Sequence, residues 1–308
     1  MKKVINIYWF RKHKTVSNFG DELTPYIINK LTCDRIKYFK FAGSRYKIFR
    51  KYITGLIKGK YSLVEFKDML YCLRAKEYII AIGSILGKCS SSRCIVWGSG
   101  IIKRKEKIRK SNFLAVRGKY SVNRINECGF KSPVVIGDPA LLLPLIYTPE
   151  NKKKYKLGII PHINHLNYLR NHIDSKEIHI INLNENNLEK VIDDINSCEV
   201  TISSSLHGLI VSHAYNIKSI WFTLNHIPLY GDDIKFYDYF SSANIQEYPP
   251  YDFSELMKHN PDKIIELINM NGQINSFKND IYSIQKQLIE ISPFRIKNNI
   301  KKYFTNID

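Results

Sequence analysis

The segment that decides the fold is residues 199–222, EVTISSSLHGLIVSHAYNIKSIWF. A short apolar run at 199–202 leads through three serines (203–205) into a longer apolar stretch at 206–215, and another short run follows at 219–222. Two short apolar runs separated by a helical stretch are typical of a strand, a helix and a neighbouring parallel strand. The segment therefore predicts one strand–helix–strand unit of a parallel sheet.

The same alternation runs along the rest of the chain in two series. The first series predicts strands at residues 4–9, 78–82, 94–97, 112–116 and 134–136, and the second at 156–160, 178–181, 199–202 and 219–222. Helices are predicted at residues 21–31, 119–128, 187–196 and 206–215. The polar stretch 147–155, YTPENKKKY, separates the two series as a linker. We therefore predict an α/β protein with one domain at 1–150, a second at 151–250 and a basic helical segment at 251–308.

Composition excludes several classes of protein. The chain has 308 residues, of which 44% are hydrophobic and 24% charged, as in globular domains that bury a sizeable core. No run approaches the ~20 apolar residues of a membrane-spanning helix, and the basic start of the chain lacks a signal-peptide cleavage site. The six cysteines show no CxxC pair, which favours free thiols over disulfides or metal ligands. We expect a cytoplasmic protein.

The net charge of +19 favours anionic partners without naming one. An anionic membrane face, a phosphorylated or carboxylated substrate and a generally Lys-rich composition all agree with it. The basic residues are spread rather than clustered with aromatic residues, so we predict no nucleic-acid partner. Near the end of the chain, Ile296, Ile300 and Phe304 share one helical face among basic residues. That pattern fits either a helix packed on the body or a helix on an anionic membrane surface.

Small residues follow several of the predicted strands, at the edge where a parallel sheet places its ligand. Gly83 and Ser84 follow one strand, and Gly98 and Ser99 follow the next. Glycine and serine let a ligand approach the backbone amides, although each pair alone also fits a simple tight turn. We predict that these four residues, together with Asn18 before the first helix, line a cleft.

Five ionisable side chains stand at or near the same edge. Arg117 ends a predicted strand, where its planar fork would match a carboxylate or phosphate, while an ion pair with a neighbouring acid explains it equally well. His207 opens a helix behind the three serines and would exchange a proton there, or it is simply structural. Asp21 lies at the cleft mouth or only caps the first helix. His162 and His165 have metal-ligand spacing, but no cysteine or carboxylate cluster supports them, so we predict no metal.

Eight short motifs follow one another along residues 18–240. They are NFGDELTPYII (18–28), AIGSIL (81–86), VWGSGI (96–101), AVRGKYS (115–121), GDPALLLP (137–144), GIIPH (158–162), SSSLHGLI (203–210) and KFYDYF (235–240). In this order they resemble the motifs of the polysaccharide pyruvyl transferase family. The resemblance implies two Rossmann-like domains whose parallel sheets face each other across a cleft, in a GT-B-like arrangement, followed here by the helical tail.

The resemblance also implies a reaction. Family members transfer the pyruvyl group of phosphoenolpyruvate onto a sugar of a surface or capsular polysaccharide precursor, usually as a cyclic ketal, without a metal or organic cofactor. The acceptor would be a lipid-linked or nucleotide-linked sugar, met at the inner face of the plasma membrane. His207 would act as the acid or stabilise the departing phosphate, and Asp21 or His162 would take the hydroxyl proton.

The donor site implied by the resemblance lies between the two domains. Arg117 would grip the donor, and Ser204 and Ser205 would donate hydrogen bonds to it. Many family members carry Arg where this chain has Ser205, and Asp where it has Gly118. We therefore expect Lys235 to neutralise the phosphate instead. Arg117 and His207 should face the same three-carbon ligand.

Two other functions remain open at this point. A glycosyltransferase of the same architecture would use a nucleotide sugar in place of phosphoenolpyruvate. A non-catalytic, basic glycan-binding module would bind sugars without turnover.

Overall fold

The computed structural model describes residues 3–11, 18–149, 152–270 and 281–305, and these form two parallel sheets. The first sheet contains β1 (Val4–Tyr8), β2 (Arg35–Tyr38), β3 (Tyr78–Ile80), β4 (Cys94–Trp97), β5 (Asn112–Val116) and β6 (Val135–Ile136). The second contains β7 (Tyr155–Ile160), β8 (Ile178–Ile180), β9 (Cys198–Ser203), β10 (Ser219–Thr223) and β11 (Tyr251–Asp252). The predicted α/β class with two Rossmann-like halves is confirmed.

The strand order of each sheet explains which strands the sequence revealed. The order is β2-β1-β3-β4-β5-β6 in the first sheet and β11-β10-β9-β7-β8 in the second. All nine predicted strands are present. The two unpredicted strands, β2 and β11, both lie at sheet edges. Strand β2 alternates exposed and half-buried positions, so it lacks the continuous apolar run of a strand covered on both faces.

Helices connect the strands. They are α1 (Phe19–Leu31), α2 (Arg45–Ile57), α3 (Glu65–Arg74), α4 (Leu86–Cys89), α5 (Lys119–Glu127), α6 (Leu166–His172), α7 (Leu188–Asn196), α8 (Leu206–Ala214), α9 (Ile234–Ala243), α10 (Phe253–Leu256), α11 (Pro261–Met270), α12 (Ile281–Glu290) and α13 (Asn298–Thr305), with a 3-10 helix at Pro139–Leu145. The four predicted helices correspond to α1, α5, α7 and α8. Helices α2 and α3 were not predicted.

Helix α8 lies at the junction of the two halves. Its residues from Gly208 to Ala214 are all buried. Such a helix is apolar on every side because every side meets protein. It packs on β9 and β10 of its own half and on the 3-10 helix Pro139–Leu145 of the first half. This packing fixes the start of α8, including His207, between the two sheets.

Of the segment predicted at 251–308, the described residues 251–270 and 281–305 are divided between the sheets. Strand β11 pairs with β10, and Ile264 and Ile268 of α11 join the core of the second sheet. Helix α12 instead packs against β6 and the 3-10 helix of the first half. The indole nitrogen of Trp97 in β4 donates a hydrogen bond to the carbonyl of Leu288, at 3.0 Å. The end of the chain thus completes the half in which the chain began.

The apolar face of the final helix is covered by the body. Ile296, Ile300 and Phe304 are only 3%, 6% and 5% exposed, and all three belong to the main core. Tyr282 donates its hydroxyl to the carbonyl of Phe304, at 3.2 Å. Of the two expectations for this tail, the packed helix is the one that the structure shows. While the tail is packed, its apolar face is not available to a membrane.

Two further sequence expectations concern cysteines and membrane spans. All six cysteines are free thiols; Cys33 is exposed, Cys128 is half-buried and the others are buried. None of the helices in the described ranges has both the length and the apolar character needed to cross a bilayer.

Candidate active site

A cavity of about 270 Å³ lies where the carboxyl ends of both sheets meet. Its walls come from the segments that follow β1, β3, β4, β7, β8, β9 and β10, together with the start of α9. Eight of the residues singled out from the sequence line it: Asn18, Asp21, Gly83, Ser84, His162, Ser205, His207 and Lys235. Their chemical roles stay predictions, but their convergence from opposite sheets on one space is now a structural fact.

His207 is held by a close approach of two helices. Its Nδ1 faces Gly20 of α1, where an added Cβ would lie 2.0 Å from that nitrogen, so any larger residue there would displace the ring. Its Nε2 is buried and has no hydrogen-bond partner among the described residues. Burial, with help from nearby Arg117 and Lys235, lowers the pKa of His207 to about 3. The imidazole is therefore neutral near pH 7, with one ring nitrogen left for a ligand.

Lys235 supplies a cation to the same cavity. It lies in the first turn of α9 and is 9% exposed. In the described part of the chain its Nζ makes no hydrogen bond and no ion pair within 4 Å. Burial lowers the pKa of Lys235 to about 8, against a weaker opposing effect of Asp233. A desolvated cation without an acid within ion-pair distance attracts an anionic ligand strongly.

Asp21 is the carboxylate of the cavity. It lies in the first turn of α1, where Asn18 accepts a hydrogen bond from the amide of Gly20, at 3.2 Å, and caps the helix. Burial raises the pKa of Asp21 to about 7, and the neighbouring Glu22 adds to the shift. Asp21 is thus not the capping residue, and it changes its protonation state near neutral pH.

The three serines before α8 have different surroundings. Ser203 donates to the carbonyl of Ile160, at 2.9 Å. Ser204 is fully buried; it accepts a hydrogen bond from the amide of His162, at 2.9 Å, and contacts Nδ1 of His165, at 2.8 Å. Ser205 alone of the three lines the cavity. Ser204 therefore fixes the loop that carries His162 rather than facing the expected donor.

His165 has no ring nitrogen left for a metal. Its Nε2 lies 2.8 Å from the carbonyl of Ile227, so this nitrogen must carry the proton. Its Nδ1 then accepts the hydroxyl hydrogen of Ser204. The described residues contain no cluster of three or more histidine, cysteine or carboxylate side chains that could hold a metal ion.

Arg117 lies behind the cavity wall, not in it. It is fully buried, and its Nε donates to Asp238 Oδ2 at 3.1 Å. Its Nη1 donates to Ser84 Oγ at 2.7 Å, and its Nη2 to the carbonyl of Ile101 at 2.8 Å. The guanidinium is therefore engaged with protein partners at all three nitrogens. It reaches the cavity only through Ser84, in contrast to the direct grip on a donor that we expected.

The partner of Arg117 belongs to the other half of the molecule. Asp238 is fully buried in α9, and it also accepts hydrogen bonds from the amide and hydroxyl of Ser121, at 2.8 and 2.7 Å. At Gly118 an added Cβ would lie 1.7 Å from the carbonyl oxygen of Asp238. The small residue that distinguishes this chain after Arg117 is thus required by the close approach of α9.

Gly98 and Ser99 also lie behind the wall. Gly98 has φ +94°, and an added Cβ there would lie 2.2 Å from Pro139. Ser99 is fully buried and donates to the carbonyl of Gly83, at 2.7 Å. Ser99 therefore supports the loop that carries Gly83 and Ser84, Gly98 allows the close approach of Pro139, and neither residue lines the cavity.

Several residues that line the cavity were not predicted from the sequence. Phe10, Lys88, Ile102, Asn164 and Tyr230 contribute to the wall. Lys88 and Tyr230 are exposed, and Tyr230 lies in the segment between β10 and α9. A lysine or tyrosine in a polar stretch carries no periodic signal, so only the fold shows that the two residues meet.

The fold and the cavity together define a class of protein: a two-sheet α/β protein that presents an unpaired lysine, a neutral histidine and a titrating carboxylate to a small ligand between its halves. A family model described as polysaccharide pyruvyl transferase matches residues 18–226. The chain belongs to this family, as the resemblance implied, and the family indicates a pyruvyl transferase activity.

A relative with a curated sequence extends this comparison. The uncharacterized protein L143 of Acanthamoeba polyphaga mimivirus is 29% identical to this chain over 227 residues, which cover 71% of this chain and 76% of that protein. Its description assigns no activity.

Proposed function

We propose that the protein transfers the pyruvyl group of phosphoenolpyruvate onto two hydroxyls of an acceptor sugar, forming a cyclic ketal and releasing phosphate. The observation that supports this proposal most is the unpaired, buried Lys235 in a cavity shared with His207 and Asp21. The donor is small and multiply charged, and a cavity of about 270 Å³ with one desolvated cation suits it.

The phosphate of the donor would meet Lys235 and the start of α8. Helix α8 has nine residues, and its first amides have no intrahelical partner, so they favour an anion beside Ser205. Arg117 contributes indirectly, because its hydrogen bond orients the Ser84 hydroxyl that lines the cavity. A bound anion would also raise the pKa of His207, since it opposes the burial and cationic neighbours that lower this pKa.

The proton transfers follow from the pKa directions. Asp21, with a pKa of about 7, is the group that can protonate the methylene carbon of the donor, which leaves an oxocarbenium-like centre at the neighbouring carbon. The first sugar hydroxyl adds to that carbon and returns a proton to Asp21. The second hydroxyl adds to the same carbon as the bond between that carbon and the bridging oxygen of the phosphate breaks. Neutral His207 takes its proton and passes it to the departing phosphate, so both side chains end as they began.

This assignment changes the expected role of Asp21 and selects one of the two expected for His207. The resemblance implied that His207 acts as the acid or stabilises the departing phosphate; a pKa lowered to about 3 favours a neutral imidazole, which suits the second role. His162 lines the same cavity and would hold the acceptor. General acid and base catalysis of this kind contributes roughly 10²- to 10⁴-fold to a rate.

The acceptor in this proposal is a sugar of a surface polysaccharide precursor, such as a capsule or exopolysaccharide repeat unit. Its carrier would be a lipid or a nucleotide, and exposed lysines would favour contact with an anionic membrane face. No metal or organic cofactor takes part in the proposed steps.

The experiment that tests the function supplies the protein with phosphoenolpyruvate and a panel of lipid-linked and nucleotide-linked sugars. Phosphate release and an acceptor mass increased by one pyruvyl ketal are expected together. His207→Gln should lower both by at least ~10²-fold. His172→Gln, which changes an exposed histidine of α6, is the matched control. Turnover of a nucleotide sugar with no use of phosphoenolpyruvate would establish the glycosyltransferase alternative instead.

A further inference from the structure

A second concave space opens beside the main cavity. This basic groove has a volume of about 710 Å³ and shares Lys88, Ile102 and Tyr230 with the main cavity. The rest of its wall comes mainly from the loop between β4 and β5. Its charged residues are Lys47, Lys88, Lys103, Arg104, Lys105, Lys107 and Arg109, with Glu106 and Asp232 as the acids. A ligand that enters the main cavity from this side must pass along the groove.

The charge of the basic groove is not balanced from within. Seven cations and two carboxylates leave a formal charge of +5 (7 − 2). Both carboxylates bind backbone amides of the wall: Glu106 accepts from Ile102 at 3.0 Å, and Asp232 accepts from Arg104 at 2.8 Å. Within the described ranges, none of the seven cations forms an ion pair within 4 Å. The two acids therefore hold the loop, and neither of them neutralises the cations of the groove.

The cations converge where the two spaces meet. Tyr230 is 64% exposed at this boundary, with the Nζ of Lys103 at 4.6 Å and that of Lys88 at 5.5 Å from its ring centre. Lys47 donates to the carbonyl of Lys88, at 2.6 Å. Burial and the like charge of nearby Arg109 lower the pKa of Lys47. At least three of the seven cations thus lie close to the boundary with the main cavity.

We propose that the basic groove binds the diphosphate of a sugar-diphosphate acceptor while its sugar reaches the main cavity. This inference rests on the proposed function. The phosphate of phosphoenolpyruvate already has Lys235 inside the main cavity, so the seven outer cations serve a second anionic group. A diphosphate presents several charged oxygens to them at once, and charge-assisted hydrogen bonds of this kind are strong. Nucleotide-linked and polyprenyl-linked sugars share this diphosphate.

Calorimetric titration of the full chain with inorganic pyrophosphate tests the basic groove directly. Saturating phosphoenolpyruvate is present, so that the anion site at Lys235 is occupied. Pyrophosphate should still bind. The triple variant Lys103→Gln, Lys105→Gln and Lys107→Gln should bind it about tenfold more weakly, because three exposed cations each contribute a modest attraction.

The matched control removes three exposed lysines that do not line the basic groove: Lys58→Gln, Lys131→Gln and Lys176→Gln. This variant loses the same net charge, so unchanged pyrophosphate binding would show that position and not total charge matters. An equal loss in both triple variants, or no binding by the unaltered protein, overturns the inference.

Competition identifies the carrier. Uridine diphosphate and farnesyl diphosphate are each added against bound pyrophosphate. Displacement by both supports the shared diphosphate chemistry, and displacement by one alone supports that carrier. Displacement by neither overturns the inference. Intact turnover of phosphoenolpyruvate without pyrophosphate binding would remove the groove proposal only, whereas pyrophosphate binding without turnover on any acceptor would remove the proposed function only.

Discussion

Arg117 and Lys235 are both buried cations beside the cavity, but among the described residues only Arg117 has an acid as its partner. Arg117, from the first half, is fully buried and bonds with Asp238, Ser84 and a carbonyl. Lys235, from the second half, is nearly as buried and has no acid within 4 Å in the described part of the chain. A buried charge is retained either because a partner neutralises it or because a ligand will. The difference separates a residue that joins the halves from one that, in the proposed function, binds the donor.

The largest expected effect is on stability, and it comes from removing Asp238, the partner of Arg117. Asp238→Ala leaves the guanidinium of Arg117 buried without its counter-charge, which should lower the free energy of unfolding by about 3–5 kcal/mol. Urea denaturation measures the change. The double variant Arg117→Met with Asp238→Leu removes both charges and should regain most of the loss. Unchanged stability of Asp238→Ala would mean that the pair does not join the halves.

The next largest effect is on catalysis, and it comes from replacing Lys235. Lys235→Met should lower kcat/KM for phosphoenolpyruvate by about 10²- to 10³-fold, the usual cost of losing one group that stabilises transition-state charge. Its melting temperature should not fall, because the methionine fills similar space and removes a desolvated cation. Lys218→Met, on the exposed surface of the same half, is the control. A melting temperature that drops with activity unchanged would contradict the assignment.

A third variant tests whether turnover also depends on the position of His207, whose Nε2 has no partner in the described part of the chain. Gly20→Ala puts a methyl group against Nδ1 of His207 and must displace the ring. Displacement of about 1 Å costs on the order of 10²-fold in turnover. Steady-state kinetics measures this loss, with Asn29→Ala on the exposed side of α1 as the control. Equal turnover of the two variants would show that the position of His207 is not critical.

The smallest effect is the pH dependence of the unaltered protein. Asp21 must be protonated to act as the acid, and its pKa is raised to about 7; Lys235 must be charged, and its pKa is lowered to about 8. Both groups lose the required proton as the pH rises, so kcat/KM should fall as the pH rises through 7 and again through 8. A profile that rises over this range would remove Asp21 as the acid.

Stability should titrate with Asp21 as well. Its folded-state pKa lies above the ordinary value, so the protonated form stabilises the fold. That contribution is complete below about pH 4 and is lost as the pH rises through 7. Melting temperatures of the unaltered protein and Asp21→Asn should therefore separate between pH 5 and pH 8, with the variant the more stable at the higher pH. Parallel curves would contradict the raised pKa.

The sequence predicted the interior of both sheets well. Strands such as β4, in which all four residues are buried, leave continuous apolar runs that can be read directly. The edge strand β2 does not, because half of its side chains face outward. Helices α2 and α3 were missed as well, and each buries only two or three residues.

The candidate site was predicted less completely, because the sequence does not show which side chains face the cavity and which are buried behind its wall. Strand ends place a residue at the correct edge of a sheet, which located Asp21, His162 and His207. They do not say whether a side chain points into the cavity or into the protein behind it. Arg117 and Ser204 both lie behind the wall, because partners distant in sequence, Asp238 and His165, hold them there. Such partners cannot be recognised from local spacing.

The hydrogen bond between Trp97 and Leu288 joins residues 191 positions apart, and it bears on how the molecule is made. The first half cannot finish its core until α12 has been made, and α12 follows β11, the last strand of the second sheet, in the chain. Contacts this distant in sequence slow the search for the native state. The nascent chain must therefore hold an unfinished amino-terminal half in solution, which makes that half the region where a chaperone would act first.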